Sequence, residues 1–265
     1  MPAPGSAIVL PPRGLVGIGH SHLQAMIEAS QLRQQADPAS APVARFVQML
    51  APDLNPTLMP DGHFNPALLA AIAAATGAAE DPLIFDCVSG NEYHFISLVE
   101  HPRPFDFVLP GRPDLPLRDG VEIIPADLMR QAMDTQLGHA VAILAALRAA
   151  VPGPVWHVQS PPPLPDNDYI RAHPTHFAEQ VAEHGVSPPS LRMKLWLLQS
   201  ELYRAHCEAL GIGFLPVPQA ALDADGFLDR RGWLPDPAHA SNWYGELVVQ
   251  QLLAQADTVR REARV

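Results

Sequence analysis

Three short stretches of the chain carry residue types that can together move an acyl group. They are Gly19-His20-Ser21-His22, Ser89-Gly90-Asn91-Glu92-Tyr93-His94 and Asp236-Pro237-Ala238-His239. A serine hydroxyl becomes a useful nucleophile when an adjacent base takes its proton. His239 supplies that base. Asp236, three residues earlier, can orient the imidazole and stabilise its charged form. Ser21 stands just ahead of a helical stretch, where unpaired backbone N–H groups and the positive end of the helix dipole favour an oxyanion. The Asn91 side chain and the Gly62 amide are candidates to complete the oxyanion hole with the Ser21 N–H.

These stretches can meet only if the intervening elements bring them to one edge. Leu15–Ile18 reads as a strand, followed at Gly17 and Gly19 by a tight strand-to-helix turn and a helix over Leu23–Gln35. Val43–Leu50 alternates like a second strand. Pro66–Thr76 reads as an alanine-rich helix with Asn65 as N-cap, Pro66 at its first position and Gly77 as its stop. Leu83–Val88 suits a buried parallel strand. Ala126–Ala150 is a long amphipathic helix, Val155–Val158 a fourth strand, Leu191–Leu210 a helix closed by Gly211, and Ile212–Val217 a fifth strand. Ser241 or Asn242 caps a last helix reaching about Arg260. Strands separated by helices predict a parallel five-stranded sheet in a three-layer α/β/α domain. In such sheets ligands collect beyond the carboxyl ends of the strands, where the three stretches fall. No linker divides the chain, so 1–265 reads as one domain. Proline-rich inserts lie at about 101–125 and 160–190, the second around a short helix near Thr175–Glu183.

The order and placing of these blocks resemble the SGNH, or GDSL, hydrolases. Gly19-His20-Ser21-His22 is similar to the family's nucleophile block, normally Gly-Asp-Ser. Gly62, before the Pro66 helix, is similar to the glycine block of the oxyanion hole. Asn91 is similar to the asparagine of Gly-x-Asn-Asp. Asp236-Pro237-Ala238-His239 with Asn242-Trp243-Tyr244-Gly245 is similar to the terminal Asp-x-x-His block. His20 stands where Asp is usual, Glu92 where a second Asp is usual, and Gly90 adjoins Asn91 where the block has its glycine one position earlier. The resemblance, spanning residue 15 to about 255, implies a flavodoxin-like sheet, no cofactor, and hydrolysis or transfer of an acyl group. The substrate would be an acyl or acetyl ester of a small molecule or carbohydrate. An O-acyltransferase with the same residues is the nearest alternative.

Plainer readings stand beside these. Ser21 could be a helix N-cap, Asp236 a turn residue before Pro237, Asn91 a left-handed turn residue, and Asp61-Gly62 an ordinary turn. Pairing Ser21 with the late Asp-x-x-His block favours the nucleophile. The 12 histidines raise a metal site, since His20, His22, His63, His94 and His239 fall near the predicted centre. Their spacings match no zinc signature, so the expectation is no metal. A non-catalytic or histidine-metal-binding protein on this fold remains the reading from another class. His20, His22, His63, Tyr93 and His94 are candidates to contact substrate.

Composition narrows the partners. There are 28 Asp+Glu against 17 Lys+Arg, a net charge of −11, which disfavours nucleic acid and anionic membranes. Lys194 is the sole lysine, so Schiff-base chemistry would rest on one residue inside a helix. Cys87 and Cys207 read as small buried hydrophobes. Ala7–Leu10 has no preceding positive residue and is cut short by Pro11-Pro12, so no secretory leader is expected, nor a membrane span, and a cytoplasmic location follows as the expectation. Composition does not bear on the oligomeric state.

Overall fold

The computed structural model describes residues 14–39, 41–79 and 81–262. Ala7–Leu10 and Pro11-Pro12 lie outside them. Five strands form one sheet: β1 (Leu15–Gly19), β2 (Ala44–Gln48), β3 (Leu83–Cys87), β4 (Val155–Val158) and β5 (Gly213–Leu215). Their order is β2-β1-β3-β4-β5 and every pairing is parallel. The chain crosses from β1 to β2, then back past β1 to β3, so β1 and β3 are central and the crossover reverses between them. A ligand crevice opens at such a reversal.

Helices cover both faces because the central strands are apolar on both sides. Side chains alternate along a strand. Val16 and Ile18 of β1 join one apolar cluster with α2 (Pro66–Gly77), α4 (Ala126–Ala150) and α7 (Pro189–Leu210). Leu15 joins the other, with Leu83 and Phe85 of β3, α1 (Leu23–Ala36) and α8 (Asn242–Glu262). The three-layer α/β/α arrangement expected from the strand and helix order is therefore the one observed. Among the described residues no helix is long and apolar enough to cross a membrane.

The local signals mostly hold. Asn65 caps α2, its Oδ1 accepting from Leu68 N at 2.8 Å, and Gly211 ends α7 in a left-handed conformation, φ 66°. Gly77 is instead the last residue of α2, which runs into a right-handed Ala78, so it is not the left-handed stop expected. Ser241 precedes α8, and its hydroxyl donates to Arg231 O at 2.9 Å. Asp236–Ala240, to which the sequence reading assigns no strand, is a strand paired antiparallel with Trp233–Leu234.

The two proline-rich inserts are ordered by α7. In the first, Phe105–Asp106 pairs with Glu122–Ile123, and Asp106 accepts from Lys194 Nζ at 2.8 Å with both side chains about 1% exposed. The second holds two short helices rather than one, α5 (Asn167–Ala172) and α6 (Ala178–His184), with a 3₁₀ turn at Thr175–Phe177 between them. Buried Arg192 reaches it from α7, donating to Leu164 O and Asn167 Oδ1, each at 2.8 Å, and to Ser187 O. A small helix over Glu92–Ser97, α3, follows β3 and packs on α7.

Helices α1 and α8, from early and late in the sequence, pack closely together. On α8, Gly245 lies against the α1 backbone so tightly that a Cβ there would stand 2.0 Å from Ala25 O. Arg33 of α1 forks onto the Glu246 carboxylate of α8, its Nε donating at 2.6 Å. Gly245→Ala forces these helices apart. It is expected to cost about 1–3 kcal/mol, the range for overpacking a filled interior. Denaturant unfolding checks this, and an unchanged midpoint refutes the packing constraint.

Candidate active site

Ser21 sits in the turn between β1 and α1, at the carboxyl edge of the sheet. His239 and Asp236 come from the strand that leads into α8. Since α1 and α8 touch, the two arms meet. His239 Nε2 and Ser21 Oγ are 2.8 Å apart, and His239 Nδ1 and Asp236 Oδ2 are 3.0 Å apart. The second Asp236 oxygen accepts from the backbone N–H of Ala238 (2.6 Å) and His239 (3.1 Å). Burial alone would raise the Asp236 pKa, but the His239 hydrogen bond and these N–H donors outweigh it and hold the carboxyl down at about 2. With the carboxylate ionised and bonded to Nδ1, the Nδ1–H tautomer is favoured and Nε2 is left to accept from the serine.

A groove of about 250 Å³ opens over this chain of bonds, lined among others by Ser21, His22, Gln24, Glu28, Asp236 and His239. Behind His22 lies a second cavity of about 10 Å³, bounded by Met26, Cys87, Val158, Ser160 and Tyr244. That is room for about one water-sized group.

Asn91 follows β3 in a loop held from several sides. Ser89 (φ 55°) and Gly90 (φ 104°) both have positive φ, a strained state for serine. His20 Nδ1 accepts the Ser89 N–H at 2.9 Å, and a Glu92 oxygen accepts the Gly90 N–H at 3.0 Å. Gln199 of α7 accepts from Tyr93 N and donates to Gly90 O, both at 2.8 Å. A Cβ on Gly90 would stand 2.7 Å from Ser160 Cβ. Glycine is therefore required both for the turn and for the space.

The candidate substrate contacts separate. His22 is buried at the groove, its ring centroid 5.3 Å from that of His239. His94 is buried beside it, and neither of its ring nitrogens has a hydrogen-bond partner among the described residues. Burial, then His239, pushes the His22 pKa down to about 3, and burial, then His22 and Arg192, pushes His94 well below the ordinary imidazole range. His20 is spent on the Ser89 amide. Tyr93 is a core residue, 2% exposed, with its ring against His94.

Gly62 requires a correction. It lies exposed in a turn, and its N–H donates to Met59 O at 2.9 Å. That amide is already bonded and does not serve an oxyanion. His63 belongs to the same turn, its own amide held by Asp61 Oδ1 at 3.1 Å, and does not line the groove. The Asp61-Gly62 turn signal was the true one. Among the described residues no three His, Cys, Asp or Glu side chains are grouped to hold a metal ion.

Sequence reasoning missed the residues that brace the site. Ser160, whose Cβ packs against Gly90, lies just past β4, so the strand-end rule applied to that strand would have found it. Gln199 lies within a long helix and carried no signal.

No family model matches the chain, and no curated protein matches it in sequence. Solved structures do. The periplasmic domain of a lipopolysaccharide acetyltransferase from Salmonella ser. Paratyphi A superposes with a TM-score of 0.47 at 11% identity, over 93% of this chain and 85% of that one. A GDSL-like lipase from Bacteroides thetaiotaomicron superposes with a TM-score of 0.43 at 10% identity, over 94% of each chain.

The Asp236 carboxyl gives a test by linkage. Its pKa is about 2 in the folded chain, against about 3.9 when unfolded. The stability it contributes is therefore complete above about pH 4 and is lost as pH falls towards 2. Asp236→Asn lacks it, so the gap in unfolding free energy between wild type and variant should narrow over that window. A gap that stays constant contradicts the hydrogen-bonded, ionised state.

Proposed function

We propose that this chain is a serine hydrolase of SGNH type that cleaves an acyl or acetyl ester of a small molecule or carbohydrate. The observation that carries the reading is the continuous chain Ser21 Oγ–His239–Asp236, with contacts of 2.8 and 3.0 Å. Both lie within the reach that proton transfer needs.

Ser21 Oγ attacks the ester carbonyl while His239 Nε2 takes its proton. The imidazolium so formed is stabilised by Asp236. Negative charge gathers on the former carbonyl oxygen, and the Ser21 N–H and the Asn91 side-chain NH₂ receive it. With the Gly62 N–H bonded to Met59 O, these two donors make the hole. His239 then returns the proton to the departing alkoxide, leaving an acyl-Ser21 ester. A water molecule, deprotonated by the same imidazole, attacks that ester and releases the carboxylic acid. If an alcohol enters in place of water, the outcome is acyl transfer.

Incubation with a fluorophosphonate probe should label wild type at Ser21. Turnover of short aryl esters should accompany labelling, and Ser21→Ala should abolish both. Retention of full turnover by Ser21→Ala removes Ser21 from the mechanism. Running the reaction with added acetylated sugars and free alcohols separates hydrolysis from transfer by product analysis.

A further inference from the structure

Buried polar atoms nearly always find a partner. Beside the triad several do not. His22 Nε2 and Asn91 Oδ1 are both buried, and neither meets hydrogen-bond geometry with any partner among the described residues. The Asn91 side chain is nonetheless a near neighbour of the His22 imidazole, where it opposes the fall in the His22 pKa. The His22 ring also presses on the loop itself, with Cδ2 3.2 Å and Nε2 3.4 Å from where a Cβ on Gly90 would stand. One imidazole thus lies between the residue that precedes Asn91, the Asn91 amide and the His239 ring.

A carboxamide serves an oxyanion only by its nitrogen, because its oxygen would repel the developing charge. Something must decide which end points into the groove. Asn91 opens α3 without capping it, so the helix does not hold its side chain. Resting on the hydrolase reading, we propose that His22 is a positioning residue for Asn91. Its Nε2–H takes the carboxamide oxygen, which turns the NH₂ towards the oxyanion at Ser21. The contact is loose in the free protein and tightens when charge builds on the far side of the amide.

His22 suits this task and not that of a second base. Burial and the neighbouring His239 keep it uncharged throughout the neutral range, so one ring nitrogen always carries a hydrogen to donate. A charged imidazole in its place would disfavour the His239 imidazolium. The charged and titratable groups around it are His239, Asp236 and His20, with His94 packed on the inner side.

Two measurements test this. In protein with ¹⁵N-labelled histidine, the His22 signal, assigned by its loss in His22→Gln, should report the neutral Nε2–H tautomer, and Asn91→Ala should shift it. A neutral Nδ1–H tautomer, or a signal unmoved by Asn91→Ala, overturns the proposal. This readout needs no turnover, so it stands apart from the Ser21→Ala test of the hydrolase reading. In ester turnover, His22→Phe keeps the bulk but loses the donor. It should lower kcat by up to about 100-fold, the order expected for a misplaced catalytic group, with KM nearly unchanged. His22→Gln keeps an N–H at the same reach and should recover most of the rate. His22→Phe added to Asn91→Ala should cost nothing more. Equal losses in His22→Gln and His22→Phe, with both variants melting as wild type does, overturn the proposal, as do additive losses in the double variant.

Discussion

The contact between Gly245 and the Ala25 carbonyl sets the geometry of the whole active edge. Ser21 and His239 lie 218 residues apart in the chain, on separate arms. A hydrogen bond tolerates only a few tenths of an ångström before it weakens. The arms are anchored by α1 and α8, so the separation of those helices sets the separation of the side chains ahead of them. A glycine at 245 allows backbone-to-backbone approach, and the Arg33–Glu246 fork ties the same pair of helices further along. Asp236 needs no such help. It lies three residues from His239 on one strand, and its own loop N–H groups hold its carboxylate.

A second constraint comes from α7. Its buried face carries Arg192, Lys194, Trp196 and Gln199 rather than a purely apolar stripe. Each reaches a loop. Lys194 holds the first insert through Asp106, Arg192 the second through Leu164 O and Asn167, and Trp196 donates to Ser160 O at 3.1 Å. Gln199 holds the turn before Asn91. Burying cations costs desolvation energy, which is offset only when their donors are met. Arg192 meets three oxygens, all of them uncharged, and burial lowers its pKa to about 10. The two proline-rich inserts are therefore strapped to one helix, and that helix also braces the site.

Burial orders the histidines around the nucleophile. His20, His22 and His94 are all pushed below the usual imidazole range, first by desolvation. Only His239 is bonded to a carboxylate there. A cluster that raises a metal site in sequence thus resolves into three neutral imidazoles and one bonded to a carboxylate. Their like charges would otherwise oppose the imidazolium that the proposed mechanism forms on His239.

The alternation of Val16 and Ile18 against Leu15, the Asn65-Pro66 cap, the αL stop at Gly211 and the three-residue spacing of Asp236 and His239 could all be read directly from the chain. They depend on neighbours a few residues away, and local periodicity and capping chemistry reach that far. The order of strands and helices then led to the parallel sheet and to its carboxyl edge. Gly62 was misplaced because a glycine before a helix looks the same whether its N–H is free or closes a turn onto Met59. Lys194, Arg192 and Gln199 were unreadable for a related reason. Polar residues inside a helix are ordinarily solvated, and only the folding of distant loops onto α7 supplies the oxygens and N–H groups that let them be buried. Residue types and local order lay in the sequence. Which polar atoms meet was settled by the approach of backbones far apart in the chain, because a hydrogen bond depends on distances that no local pattern encodes.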